Sequence, residues 1–426
     1  MTLLLILYNT IFPLVTRVVK LFSGLSPRLR SFFKIRKNLF LNLEKAAGSI
    51  KDQGPRIWIH AASAGEFEQA RPIITELKKK RPDAHVFVSF LSSSGYTVYK
   101  SYSDAESVFY HPVDTKRNAE KTVKLIRPDI VLIMRYDFWL NHLYTAKKNG
   151  AVLILAAAVL QEHSMYFKPF VRQFYHKLFS LFDYIFTVSE KDRERFAETF
   201  GRSDAPKAGN PRFDQVMLRS SSTDRIGYLK KFYRGTLLLV AGSTWEKDED
   251  LLLAASRTFD DRLSMILVPH DVSTGNITRL ETSLESADIP FAKISSLPDD
   301  FSAHHVLVVD QIGFLVELYA LAQIAYVGGG FGVNVHNTLE PSVYGIPVLF
   351  GPNYHNSPEA EELVNIAAAS EIRDEHSLLA ALRRLVYNQK ERELQGGKAG
   401  SYVRNHLGAS KAVAEKIISS INSVNS

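Results

Sequence analysis

The 426-residue chain contains no cysteine. Disulfides, thiolate metal sites and cysteine nucleophiles are therefore excluded, and the composition suits a reducing compartment. It also has no GxxxxGK(S/T) stretch, so it carries no P-loop. His270, His304, His305, His336 and His355 show no HExxH or comparable ligand spacing, and no metal site is expected. Excess positive charge is missing from most of the chain. There are 52 basic and 45 acidic residues. The first fifty positions hold eight of the basic groups and one acid, Glu44, leaving forty-four of each sign beyond them. The neutral body argues against a nucleic-acid-binding surface.

What the first fifty positions do contain is an apolar run, LLLILYNTIFPLV at 3–15, followed by those cations with Phe32, Phe33 and Phe40 among them. The uninterrupted run falls short of the roughly 20 residues a spanning helix needs. No basic stretch precedes it and no A-x-A site follows, so it does not read as a cleaved signal peptide. The segment reads as an anchor at an anionic bilayer with its basic part on the cytoplasmic side. A helix packed on the body is the alternative.

Beyond it, apolar strands alternate with helical stretches. Strands are expected at 56–60, 84–90, 107–110, 130–134, 152–157 and 184–188, and helices at 68–80, 115–126 and 138–149. This is the signature of parallel sheets covered on both faces. Near 213–235 the polar SSSTDR breaks the pattern, and TLLLVAGSTWEKDEDLLLAASR then repeats the layout of RIWIHAASAGEFEQARPIITELK. With 426 residues, two domains are the natural division. The expected limits are an anchoring segment at 1–45, one α/β domain at 46–215 and a second at 216–426. Further strands are expected at 236–240, 265–269, 305–309 and 324–327.

The stretch AYVGGGFGVNVHNTLEPSVYGIPVLFGP, 325–352, reads as strand, glycine turn, helix and strand. Gly328, Gly329, Gly330 and Gly332 leave backbone that can approach a ligand closely. A helix opening at His336 or Asn337 and running to Tyr344 would offer free N–H groups to a phosphate. Glu340 would sit one turn in, within reach of a ribose diol. Tight packing of the glycines against a neighbouring strand explains the same composition. The dinucleotide fingerprint is absent, because Val335 occupies the place of its third glycine.

Other candidates follow strands, where open α/β sheets bind ligands. Glu66, in AASAGEF, has small neighbours and suits a base that takes a proton from a sugar hydroxyl. Ser63-x-x-Glu66 is equally a capping box, as is Ser243-x-x-Glu246. Asp137, in MRYDFW, suits orienting a substrate or Arg135, or simply capping a helix. Arg212, in AGNPRFDQV, offers a two-pronged grip on an anion, or a salt bridge to Asp214. His270, after Pro269, can donate to a phosphate.

Together IHAASAGE, GNPRFD, AGSTWEKDE, LVPH and GGGFGVNVHNTLEPSVYGIPVLFGP resemble the 3-deoxy-D-manno-octulosonic acid (Kdo) transferases of lipopolysaccharide assembly, over about residues 3–365. The GGGFG and YDFW forms are most similar to a Bacteroidetes-like branch. The resemblance implies a GT-B fold, two Rossmann-like domains facing across a cleft, preceded by a membrane-anchoring segment. It implies inverting transfer of Kdo from CMP-Kdo to a lipid A precursor, at the cytoplasmic face of the bacterial inner membrane, with no obligatory metal or other cofactor. Glu66 matches the family's general base. Asp137 and Arg212 match positions assigned to transition-state stabilisation. Pro269 with His270, then Ile312, Gly313 and Phe314, then Asn337, Thr338, Leu339 and Glu340 match three CMP-contacting stretches, with Gly330 in the turn before the last. Three positions depart from the pattern: Arg135 replaces the first acid of an E-x-E segment, Phe314 a glutamate and His270 an arginine. A GT-B enzyme using a UDP-sugar and a non-catalytic nucleotide- or lipid-binding relative are the other readings of these residues.

Overall fold

Odd and even positions along the central strands point to different cores, and that alternation sets the layers of the structure. In the computed structural model, residues 2–50, 54–162, 164–221, 224–259, 262–332 and 334–424 are described. Ser222 and Thr223 of the polar break, and Val333 of the glycine stretch, lie outside these ranges. The chain forms two units, Met1–Gln215 with Leu407–Ser426, and Val216–His406.

The first unit is built on six parallel strands: β1 (Arg56–Ala61), β2 (His85–Phe90), β3 (Ser107–Tyr110), β4 (Ile130–Met134), β5 (Val152–Ala158) and β6 (Tyr184–Thr187). Their order is β3-β2-β1-β4-β5-β6, the Rossmann arrangement. Ile57, Ile59, Val86, Val88, Leu132 and Ile154 face one core, with Phe67, Ile73 and Ile74 of the helix Ala64–Lys80. Trp58, Phe87, Val131, Ile133, Leu153 and Leu155 face the other. Burial on both faces is what makes these strands nearly continuous apolar runs. Val413, Ala414, Ile417 and Ile421 of the last helix, Ala409–Val424, pack into the first of these cores. Asp214 holds the start of that helix by accepting from the Gly408 and Ser410 amides, each at 2.7 Å. Residues 407–426 thus return to the first unit, whereas the sequence places them with the second domain. The apolar stripe of this helix matches a face that no local signal identifies.

At the amino terminus the helix Thr2–Leu21 contains Pro13, and the segment Leu4–Leu25 is long and apolar enough to cross a membrane. The second unit has seven parallel strands: β7 (Leu237–Thr244), β8 (Leu263–Pro269), β9 (Phe291–Lys293), β10 (Val306–Val308), β11 (Ile324–Val327), β12 (Val348–Phe350) and β13 (Ala369–Glu371). Their order is β13-β12-β11-β7-β8-β10-β9. In each sheet the strand order reverses beside the first strand, between β1 and β4 and between β7 and β11. Ligands of such sheets bind at the carboxyl ends of the strands at this switch point.

Candidate active site

In the first unit, Glu66 and Asp137 emerge from the neighbouring strands β1 and β4 at the switch point. Ser63 caps the helix Ala64–Lys80 by accepting from the Glu66 amide at 3.4 Å, and the Glu66 carboxylate turns back to accept from the Ala62 amide at 2.5 Å. Only half of the Ser63-x-x-Glu66 box forms, because the carboxylate bonds the Ala62 amide and not that of Ser63. The cap aims the carboxylate at the strand end, and Glu66 is only 8% exposed. Burial is the main cause raising its pKa above the ordinary carboxylate value, and the Asp137 charge adds to it. The Ala62 amide, His60 and Arg135 oppose the shift. The helix N-terminus alone would keep the group a weak base; desolvation makes it a stronger one.

Asp137 does not hold Arg135. Its carboxylate accepts from His60 Nε2 at 2.8 Å, while Arg135 Nε donates to Gln69 at 3.2 Å. His60 lies opposite Ser89 in the β1–β2 register and is buried. Trp58 Nε1 can only donate, and it donates to Ser89 Oγ at 2.8 Å. His60 Nδ1 lies 2.9 Å from Ser89 Oγ and 3.1 Å from the Ser89 carbonyl oxygen, so Ser89 holds one edge of the ring while Asp137 holds the other. This run of hydrogen bonds fixes both the ring and the carboxylate. Arg135 (φ 63°) and Ala157 (φ 54°) adopt left-handed backbone at the ends of β4 and β5. Such strain costs roughly 1–3 kcal/mol per residue and clusters at functional sites. Arg212 stands farther along the sheet, in the first turn of the helix Pro211–Ser220, on the segment that leaves β6.

In the second unit, Trp245 follows β7, His270 follows Pro269 at the end of β8, and His336 follows the glycine turn after β11. Their rings form one stack. Trp245 lies 4.7 Å from His270, and His270 lies 4.4 Å from His336, all near parallel. Trp245 Nε1 donates to His336 Nε2 at 3.0 Å, and burial lowers the His336 pKa, so that ring stays neutral. The buried Asp248 ties the parts together. It accepts from the Trp245 and Gly329 amides, both at 3.0 Å, and from the Tyr326 hydroxyl at 2.8 Å. The helix after β7 therefore starts at Glu246 with Asp248 as its capping acid, not with the Ser243–Glu246 pair, and Ser243 is left-handed (φ 54°) within β7.

Packing by itself accounts for glycine at two positions of the turn. A Cβ on Gly328 would lie 2.3 Å from the Ser243 carbonyl, and one on Gly330 2.6 Å from Gly351 backbone. Neither position has room for a side chain. Gly329 has φ +91°. Gly332 alone meets nothing closer than 3.5 Å. The helix expected to run to Tyr344 spans only Leu339–Ser342, with Pro341 inside it and the chain turning again to Gly345. One turn gives a small dipole, so the anion-binding argument from the helix N-terminus weakens. Asn337 accepts from the Leu339 amide at 3.2 Å, and the hydroxyl of the buried Thr338 has no partner among the described residues. Glu340 accepts from Arg219 at 3.3 Å. The exposed Ile312 and Gly313 (φ +97°) lead to Phe314, over which Arg225 lies at 5.2 Å while it pairs with Glu317.

Comparison with known proteins agrees with this layout. Residues 36–215 match the family described as 3-Deoxy-D-manno-octulosonic-acid transferase (kdotransferase). The 3-deoxy-D-manno-octulosonic acid transferase of Chlamydia trachomatis serovar A is 30% identical over 83% of both chains. The chain belongs to the Kdo transferase family. A second relative, from Aquifex aeolicus, is 28% identical over 80% of this chain and 89% of its own. The fold is shared more widely. A UDP-GlcNAc 2-epimerase from Neisseria meningitidis superposes with a TM-score of 0.59 at 16% identity, covering 85% of this chain and 99% of its own. Two Rossmann-like units of the GT-B type are thus the scaffold of this Kdo transferase. Sequence reasoning named Glu66, Asp137 and His270 but missed their partners His60, Trp245, His336 and Asp248. Each of these joins through a contact spanning dozens of positions, such as the 77 between His60 and Asp137. The only local signal was the repetition of the strand-turn-helix layout, which puts Trp245 at the site's matching turn.

Proposed function

We propose that the chain is a membrane-associated, inverting glycosyltransferase that moves Kdo from CMP-Kdo to a lipid A precursor at the cytoplasmic face of the inner membrane. The observation that supports it most is Glu66, a buried carboxylate of raised proton affinity beside the His60-oriented Asp137. A sugar hydroxyl is too weak a nucleophile to attack the anomeric carbon while it keeps its proton. Glu66 takes that proton as the new C–O bond forms, and the bond from the anomeric carbon to the cytidine phosphate breaks with its electron pair going to the phosphate. Asp137 and Arg212 orient the reacting groups and balance the charge that develops.

The second unit holds the donor. The stack of Trp245, His270 and His336 offers flat surface and a donor beside Pro269. Asn337, Thr338, Leu339 and Glu340, the backbone at Gly330 and the Ile312–Gly313–Phe314 turn complete the donor-binding set. The unpartnered Thr338 hydroxyl fits a polar ligand there. The base of the nucleotide separates this reading from a UDP-sugar enzyme. CMP at 100 times its Kd should stabilise the protein by about 2.7 kcal/mol, seen as a raised melting temperature, with UDP at the same concentration giving much less. Equal or greater stabilisation by UDP would overturn the donor assignment.

A further inference from the structure

The N-terminal helix is not a free span. Leu4, Leu5 and Tyr8 pack on the core of the first unit, and Tyr8 stacks on Phe174. Phe12 lies edge-on to Trp139 at 6.2 Å. The Tyr8 hydroxyl donates at 2.8 Å to Asp114, a fully buried carboxylate that also accepts from the Asn141 and His142 amides. Residues 4, 5, 8 and 12 share one face of the helix.

A second face is apolar and open. Leu7, Ile11, Leu14, Val18 and Leu21 recur every three or four positions and are all exposed, as are Phe22 and Leu25 in the turn that follows, Leu25 by 83%. On a third face, Ile6, Asn9, Pro13 and Arg17 line a groove of about 1490 Å³ against the helices Lys116–Ile126 and Leu140–Lys148. That groove holds six cations, Arg17, Lys116, Arg117, Lys124, Arg127 and Lys148, against two acids, Glu120 and Asp129. Glu120 lies 3.9 Å from Lys116, and Asp129 accepts from the Arg56 amide. Among the described residues no carboxylate pairs with the other five cations.

We infer that this helix lies in the plane of one leaflet, docked sideways on the first unit, and that the basic groove along it takes the phosphate-bearing headgroups of an anionic bilayer. The inference rests on the membrane-associated reading above and fixes how the attachment is made. A spanning pose needs roughly 20 residues, about 30 Å, clear of the protein. With residues 4–12 held by the body, only 13–25 are left, roughly 20 Å of helix. A spanning pose would also carry Arg17 into the hydrocarbon, where a cation is costly. In the plane, the open apolar face enters the leaflet while Arg17 and the groove meet the phosphates.

The absence of cysteine makes the topology directly readable. A single cysteine at Thr2 in the full chain should react with a membrane-impermeant maleimide in inside-out vesicles and be protected in spheroplasts. Reaction in spheroplasts would mean that the helix spans, and would overturn the inference. For the groove, Arg117→Ala with Lys124→Ala removes two exposed cations. At about 1 kcal/mol each near an anionic surface, their loss should weaken co-sedimentation with phosphatidylglycerol-containing vesicles roughly 30-fold, and leave binding to phosphatidylcholine vesicles unchanged. An unchanged partition, or an equal fall on both vesicles, would overturn the headgroup assignment. Neither readout needs turnover, so failure of the transferase reading would show itself separately.

Discussion

Glu66 carries two obligations that pull against each other. Its carboxylate must be anionic to accept a proton, yet burial makes the anion costly, and Asp137 makes it costlier. Because the pKa is raised, the base is lost to protonation at a higher pH than an exposed carboxylate would be. The acid limb of the pH–rate profile should therefore lie above the ordinary carboxylate range. Asp137→Asn removes a charge that raises the Glu66 pKa, so in that variant the acid limb should move to lower pH while the maximal rate falls. A limb that stays in place would mean that the two carboxylates do not act on each other. At this scale the sequence was informative only where a residue's role is local. Glu66 stands out because small residues and a cap surround it. His60 ends the run RIWIH as one more strand position, and only pairing with β2 and β4 sets it between Ser89 and Asp137.

At the scale of elements, the apolar runs marked the strands well, because strands buried on both faces have few polar positions to interrupt them. Helix limits shifted where tertiary contacts overrode local signals. The helix after the glycine turn is a single turn because the chain reverses again at Gly345 (φ +70°), just beyond it. The glycines themselves divide by cause. Gly328→Ala drives a Cβ into the Ser243 carbonyl and should destabilise the protein by roughly 1–3 kcal/mol, measured by denaturant unfolding. Gly332→Ala meets only ordinary contact and should leave stability within about 0.5 kcal/mol. If the turn also faces the donor, Gly332→Ala should still weaken CMP binding. A variant with unchanged stability and unchanged affinity would limit the turn to packing.

At the scale of the molecule, the two sheets were legible as an alternation of strand and helix, and their repeated layout showed two related halves. The return of the last helix to the first unit was not, since an amphipathic helix announces that it has an apolar face but not which surface covers it. That helix contributes Val413, Ile417 and Ile421 to a core, all essentially unexposed. At roughly 1.5–3 kcal/mol for each such side chain, removing residues 407–426 should cost the first unit several kcal/mol. Limited proteolysis should then cut within 54–215 sooner than within 224–406, whereas an unchanged digestion pattern would contradict the assignment. The central claim, that Glu66 takes the acceptor's proton in a CMP-Kdo-dependent transfer, has a more direct test. CMP release should be measured for the full-length protein and its Glu66→Gln variant, supplied with CMP-Kdo and a lipid A precursor in detergent. The account predicts acceptor-dependent release by the native chain and a loss of about 100-fold or more in the variant, with CMP affinity nearly intact. Release at the native rate by the variant would contradict it.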